Sequence, residues 1–191
     1  MVKEKTLEKE FQKILIKNES LETSHLKNLY LFSVNHKTAP VTIREKFAIP
    51  DYALNDAINN LKTYKSISSF LILSTCNRTE IYFTCNDLQN ALPDIYSFFE
   101  KYQGIEQKIA KEYSTLIKER GIIDYLFKVS CGLDSMVLGE SQVLSQVKHA
   151  YSLAQKENTL DDTLEKLFQF SIKAAKEVHK KTNLKNYSKK K

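Results

Sequence analysis

The chain has 191 residues, 42% hydrophobic and 27% charged, with a formal net charge of +6. That length holds one domain with an appendage and a sizeable core, and the apolar content excludes wholesale disorder. No apolar run nears the roughly 20 residues that span a bilayer. The charged start Met1-Val2-Lys3-Glu4-Lys5 lacks the apolar stretch of a secretory signal, so a cytoplasmic location is expected.

Three cysteines without CxxC spacing exclude a disulfide framework, and no metal site is expected. Glycine occurs only at Gly104, Gly121, Gly132 and Gly139, too scattered for a Walker loop or a dinucleotide fingerprint. No cofactor-binding residues are therefore expected in this chain. Residues 173–191 carry eight lysines against Glu177, which leaves residues 1–172 at −1. The pattern is a near-neutral globule with a basic tail, either a solvated chain end or a contact for RNA phosphates.

Leu7, Phe11, Ile14 and Leu15 recur at helical spacing, predicting a short amphipathic helix within 3–24. Leu29-Tyr30-Leu31-Phe32-Ser33-Val34 predicts a strand that stops at the polar loop 35–40. Pro50-Asp51 opens a helix reaching about Tyr64, with Ala53, Leu54, Ala57, Ile58 and Leu61 on one face. Ser69–Thr75 and Glu80–Cys85 predict two strands joined by the short turn Cys76-Asn77-Arg78-Thr79, hence antiparallel partners. A helix over 87–103, a strand near Tyr113–Lys118 and helices over 121–131, 140–157 and 160–183 follow. The order implies an α+β fold: a ferredoxin-like antiparallel sheet with helices on one face. A C-terminal helical segment then covers the sheet or projects beyond it.

Cys76 stands at a strand end among polar neighbours, with a guanidinium at Arg78. A cysteine attacks as its thiolate, and a nearby cation favours that charged form. Thr75 and Asn77 can hydrogen-bond an attacked carbonyl or hold a substrate. The plain alternative is a small buried cysteine, which suits Cys85 and Cys131 better. His36 is either a base or an inert loop imidazole. Asp134 and Ser135 read as turn or cap residues between two helices.

Three segments together resemble the N-terminal catalytic domain of glutamyl-tRNA reductases: Ser33–Pro40 with Arg44-Glu45-Lys46, then Leu73–Tyr82, then Gly132–Glu140 with Gln142 and Gln146-Val147-Lys148. The resemblance spans about residues 29–183. It implies an NADPH-dependent oxidoreductase that converts glutamyl-tRNA(Glu) to glutamate-1-semialdehyde for tetrapyrrole (porphyrin, heme) biosynthesis. Cys76 matches the nucleophile that releases tRNA and leaves a glutamyl thioester. Thr75, Arg78, Ser135, Glu140 and Gln146 match substrate-binding positions, and Arg78 suits a two-pronged grip on the glutamyl carboxylate. Asn77 and Tyr125 take supporting roles.

Apolar spacing gives a helical extension over 1–25 and the lysine run a basic disordered tail over 185–191; between them the resemblance implies the catalytic domain over 26–158 and a helix over 159–184 leading toward a cofactor domain. The family's NADPH and dimerisation domains have no counterpart in these residues, so a monomer unable to complete the reduction is expected. Contact with glutamate-1-semialdehyde aminomutase belongs to the complete enzyme. Tyr125 stands where the family usually has His, and Ser141 and Ser145 where it favours Pro and Gly. A tyrosine does not share protons near neutral pH. A second reading is therefore kept: a non-catalytic tRNA-binding or regulatory remnant. A generic RNA-binding sheet is disfavoured, because it needs exposed aromatics and basic residues.

Overall fold

The computed structural model describes residues 9, 13, 26–134 and 142–182. Lys9 and Lys13 are helical. The rest of that stretch and the basic tail lie outside the described residues. The elements are β1 (Leu29–Asn35), α1 (Val41–Phe47), a 3-10 turn (Asp51–Ala53) running into α2 (Leu54–Leu61), β2 (Ser69–Ser74) and β3 (Arg78–Thr84). There follow α3 (Leu88–Gln103), α4 (Gln107–Tyr113), β4 (Thr115–Lys118), α5 (Arg120–Ser130), α6 (Gln142–Lys156) and α7 (Asp162–Thr182).

The strands lie in the order β2-β3-β1-β4, every pair antiparallel. This is the ferredoxin-like arrangement, with β3 inserted between β1 and β2. Helices cover both faces of the sheet, however, rather than one. Phe32, Val34, Phe70, Ile72, Ile81 and Phe83 pack with α1–α4 on the first face. Leu29, Leu31, Leu71, Leu73 and Tyr82 pack with α5, α6 and α7 on the second. The cause is visible in the strands: β1 and β2 are apolar at both parities, and a strand apolar on both sides must be buried on both.

Two local differences have physical reasons. Helices α1 and α4 are only seven residues long and bury one residue each, Phe47 and Ala110, too few to show a period. Strand β3 begins at Arg78, two residues before the expected Glu80, because the Thr75 N–H donates to the Arg78 carbonyl at 2.8 Å. The turn is thus Thr75-Cys76-Asn77, and Arg78 belongs to the sheet. Helix α7 is anchored by Phe168, which meets Tyr82 edge-on at 5.0 Å and stacks on Tyr151 at 6.3 Å.

Phe168 is fully buried, so Phe168→Ala should cost about 3–5 kcal/mol through lost transfer energy and the cavity left behind. Urea unfolding of the chain checks this; a loss under about 1 kcal/mol would mean that α7 is not held by the sheet.

Candidate active site

Strand parity assembles the site. Residues 78, 80 and 82 of β3 face the second layer, and the β1 register sets Asn35 opposite Arg78, Ser33 opposite Glu80 and Leu31 opposite Tyr82. One end of an otherwise apolar face therefore carries four polar side chains. Glu80 has no exposure to solvent. Its Oε1 accepts from Arg78 Nη1 at 3.1 Å, Tyr125 OH at 2.5 Å and Ser33 Oγ at 3.3 Å, while Oε2 accepts from Tyr82 OH at 2.8 Å. Four donors match the roughly four lone-pair sites of a carboxylate.

Arg78 is 2% exposed. Beyond Glu80, its Nη1 donates to Asp134 Oδ2 at 3.2 Å and Tyr125 OH at 3.0 Å, and its Nη2 to the Asp134 carbonyl at 2.6 Å. Asp134 arrives there because α5 ends in a Schellman motif: Gly132 has φ +70°, its N–H donates to Val129 O at 2.9 Å, and the Leu133 N–H donates to Lys128 O at 2.8 Å. A side chain at position 132 would be strained in that conformation. The reversed chain turns Asp134 back onto the guanidinium. Lys37, from the loop after β1, pairs with the other Asp134 oxygen.

Burial by itself would discharge Arg78, but Glu80, Tyr125, Tyr82 and Asp134 outweigh it and hold the guanidinium charged. Tyr125 and Tyr82 are also raised, above the usual phenol range, by burial first and by Glu80 second. Both hydroxyls keep their protons; Tyr82 donates to Glu80, and Tyr125 bridges Glu80 to Arg78 and Asn35. Tyr125 OH also receives Asn35 Nδ2 at 3.2 Å and lies 3.2 Å from Ser33 Oγ. It is thus wired into the polar patch rather than merely packed.

Cys76 is exposed in the turn above this patch, while Cys85 and Cys131 are buried. Burial raises both inner thiols, Cys131 up to about 12. The Thr75 hydroxyl shapes the turn by accepting from the N–H groups of Asn77 and Arg78, both at 3.2 Å. The Asn77 carbonyl takes the His36 N–H at 3.1 Å, so the 35–40 loop and the cysteine turn meet at one edge of the sheet. Burial lowers the His36 pKa, an effect the Asp134 charge partly opposes while Arg78, Lys37 and Arg44 reinforce it. The imidazole is neutral at pH 7. A cleft of about 320 Å³ opens beside the turn, between the end of β2 (Ile72–Ser74), Asp51 and Leu54, and Ser145, Gln146, His149 and Ala150 of α6.

Of the sequence-predicted residues, Thr75, Cys76, Asn77, Arg78 and Tyr125 gather at this sheet edge, and Gln146 lines the adjoining cleft. Ser135 and Glu140 lie outside the described residues. Arg78 faces the interior, and its fork is already filled by Glu80 and Asp134. Sequence reasoning missed Glu80, Ser33 and Asn35 as partners and treated Asp134 only as a turn residue. A signal existed: Glu80 interrupts a buried strand, and an unpaired charge there is prohibitively costly.

The model for the glutamyl-tRNA reductase N-terminal domain matches residues 32–182. The chain belongs to that family. Glutamyl-tRNA reductases of Oceanobacillus iheyensis and Microcystis aeruginosa are 44% and 38% identical to it over 148 and 157 residues, 78% and 82% of this chain. Those stretches are 32% and 37% of the relatives, so the chain spans about a third of their length. The glutamyl-tRNA reductase structure from Methanopyrus kandleri superposes with a TM-score of 0.65 at 24% identity, covering 81% of this chain and 35% of that one, and shares the fold.

Two measurements test this reductase-family site. With limiting iodoacetamide at neutral pH, Cys76 should be labelled ahead of Cys85 and Cys131, whose raised pKa values leave little thiolate; peptide mass mapping decides it. Tyr125→Phe should destabilise the chain by about 1–3 kcal/mol in urea, since Glu80 and Asn35 lose a partner in a buried patch. A loss within about 0.5 kcal/mol would mark Tyr125 as a packing residue.

Proposed function

We propose that this chain is the thioester-forming module of a glutamyl-tRNA reductase. The Cys76 thiolate attacks the ester carbonyl carbon of glutamyl-tRNA, the carbon–oxygen bond breaks, and the tRNA leaves with its 3′-terminal hydroxyl restored while a glutamyl thioester forms. The observation that carries this is the exposure of Cys76 in a turn held by Thr75, two residues before the buried Arg78 and next in chain to the β2 end that lines a cleft. Arg78 supplies the charge that recognises the glutamyl carboxylate. Gln146, on the cleft wall, is suited to bond the polar part of the substrate. Serving tetrapyrrole synthesis, the module acts on glutamyl-tRNA in the cytoplasm.

NADPH supplies the hydride that takes such a thioester to the aldehyde. The described residues do not fit it: the sheet is wholly antiparallel, and the described glycines stand singly, so no strand–loop–helix cradle faces a pyrophosphate.

One observation favours the remnant reading. Tyr125 replaces the family's usual His, and its hydroxyl is locked to Glu80 with its proton retained, so it cannot act as a proton shuttle. Glutamyl-tRNA should be deacylated slowly by the full chain, because water hydrolyses a thioester that nothing reduces. Cys76→Ser should fall to the spontaneous rate of ester loss, measured by acid-precipitable radiolabelled glutamate. Tyr125→His should accelerate deacylation if a proton-sharing group at that position matters. Equal rates for wild type and Cys76→Ser would replace the thioester reading with the remnant reading.

A further inference from the structure

Arg78 holds two carboxylates, and it holds them differently. Glu80 is wholly enclosed, and all its partners, Ser33, Arg78, Tyr82 and Tyr125, lie at buried or part-buried positions. Asp134 is 6% exposed, and its second oxygen pairs with Lys37, whose side chain is 64% exposed. One carboxylate is locked in; the other is shared between the buried guanidinium and an exposed ammonium. The backbone carbonyl of Asp134 also holds Nη2 at 2.6 Å, so its side chain can leave without releasing the chain.

The charges of Arg78, Lys37, Glu80 and Asp134 cancel. A further carboxylate entering this desolvated patch would leave an uncompensated negative charge, which is strongly unfavourable away from water. One resident must therefore give way, and only Asp134 has an outward partner to follow. We infer that the Asp134 carboxylate is the resident occupant of an exchangeable anion site on Arg78, and that a ligand carboxylate binds by displacing it toward Lys37. The class of ligand, a small acid with a free side-chain carboxylate such as a glutamyl group, rests on the function proposed above; the exchange itself does not. Asp134 becomes a selectivity residue, since a neutral amide of the same shape brings no charge to replace the one it displaces.

Calorimetric titration of glutarate into the full chain tests the exchange without requiring any chemistry at Cys76. Asp134→Asn removes the competing charge but keeps the shape and the backbone contact, and should bind glutarate about tenfold tighter than wild type. Lys37→Ala, at an exposed position where folding is not at risk, should weaken glutarate about threefold by removing the outward partner. Adsorption on the lysines of residues 173–191 would be the same in wild type and Asp134→Asn. An Asp134→Asn chain that folds and binds no tighter overturns the inference, as does a Lys37→Ala chain that binds as wild type does. If glutarate tightens but Cys76 releases no tRNA, the exchange stands and the thioester function falls. If tRNA is released through Cys76 without tightening, the exchange falls alone.

Discussion

The ion pair between Arg78 and Glu80, buried in the central strand β3, is the constraint to which the rest of the site answers. Removing either partner would strand a charge away from water, at a cost of about 3–5 kcal/mol. The fold therefore has to supply hydrogen bonds at that depth, and it draws them from four separate elements. Ser33 and Asn35 come from β1, Tyr125 from α5, Tyr82 from β3 itself, and Asp134 from the segment after α5. The second helical layer is thus tied to the sheet by charge at one end and by apolar packing around Phe168 at the other.

Such a network gains little net stability over a well-packed apolar patch of the same volume. What it provides is position. Arg78 cannot move without breaking contacts to Glu80, Tyr125 and Asp134 together, so the cation stays in one place. The turn is likewise held from both sides, through the Thr75 hydroxyl within it and the His36 N–H across it.

Tyr125 shows how one substitution shifts this balance. An imidazole at that position could bond the same neighbours and still exchange a proton near neutral pH. The tyrosine keeps the bonds and gives up the exchange, because burial and Glu80 hold its proton in place. With Tyr125 in place the patch is complete as structure.

Much of this was legible in the chain itself. The strands, the hairpin, the long helices and the exposed cysteine turn follow from local signals: apolar runs, period, and a turn too short for a crossover. Sequence alone also set Cys76 apart from Cys85 and Cys131 by its polar neighbours, and the three matched segments pointed to the family. It did not show that helices cover both faces, although the double-sided apolar pattern of β1 and β2 contained that information. Helices α1 and α4 were invisible because one buried residue cannot make a period. Glu80, two residues from Arg78 on the same strand face, was within reach of local reasoning; the other partners of the pair were not. Ser33, Tyr125 and Asp134 are distant in sequence and meet it only through strand register and the left-handed turn at Gly132. Local pattern decides which way a strand's side chains point; which distant group waits there depends on tertiary packing, since a buried charge is satisfied by whatever the fold brings within about 3 Å.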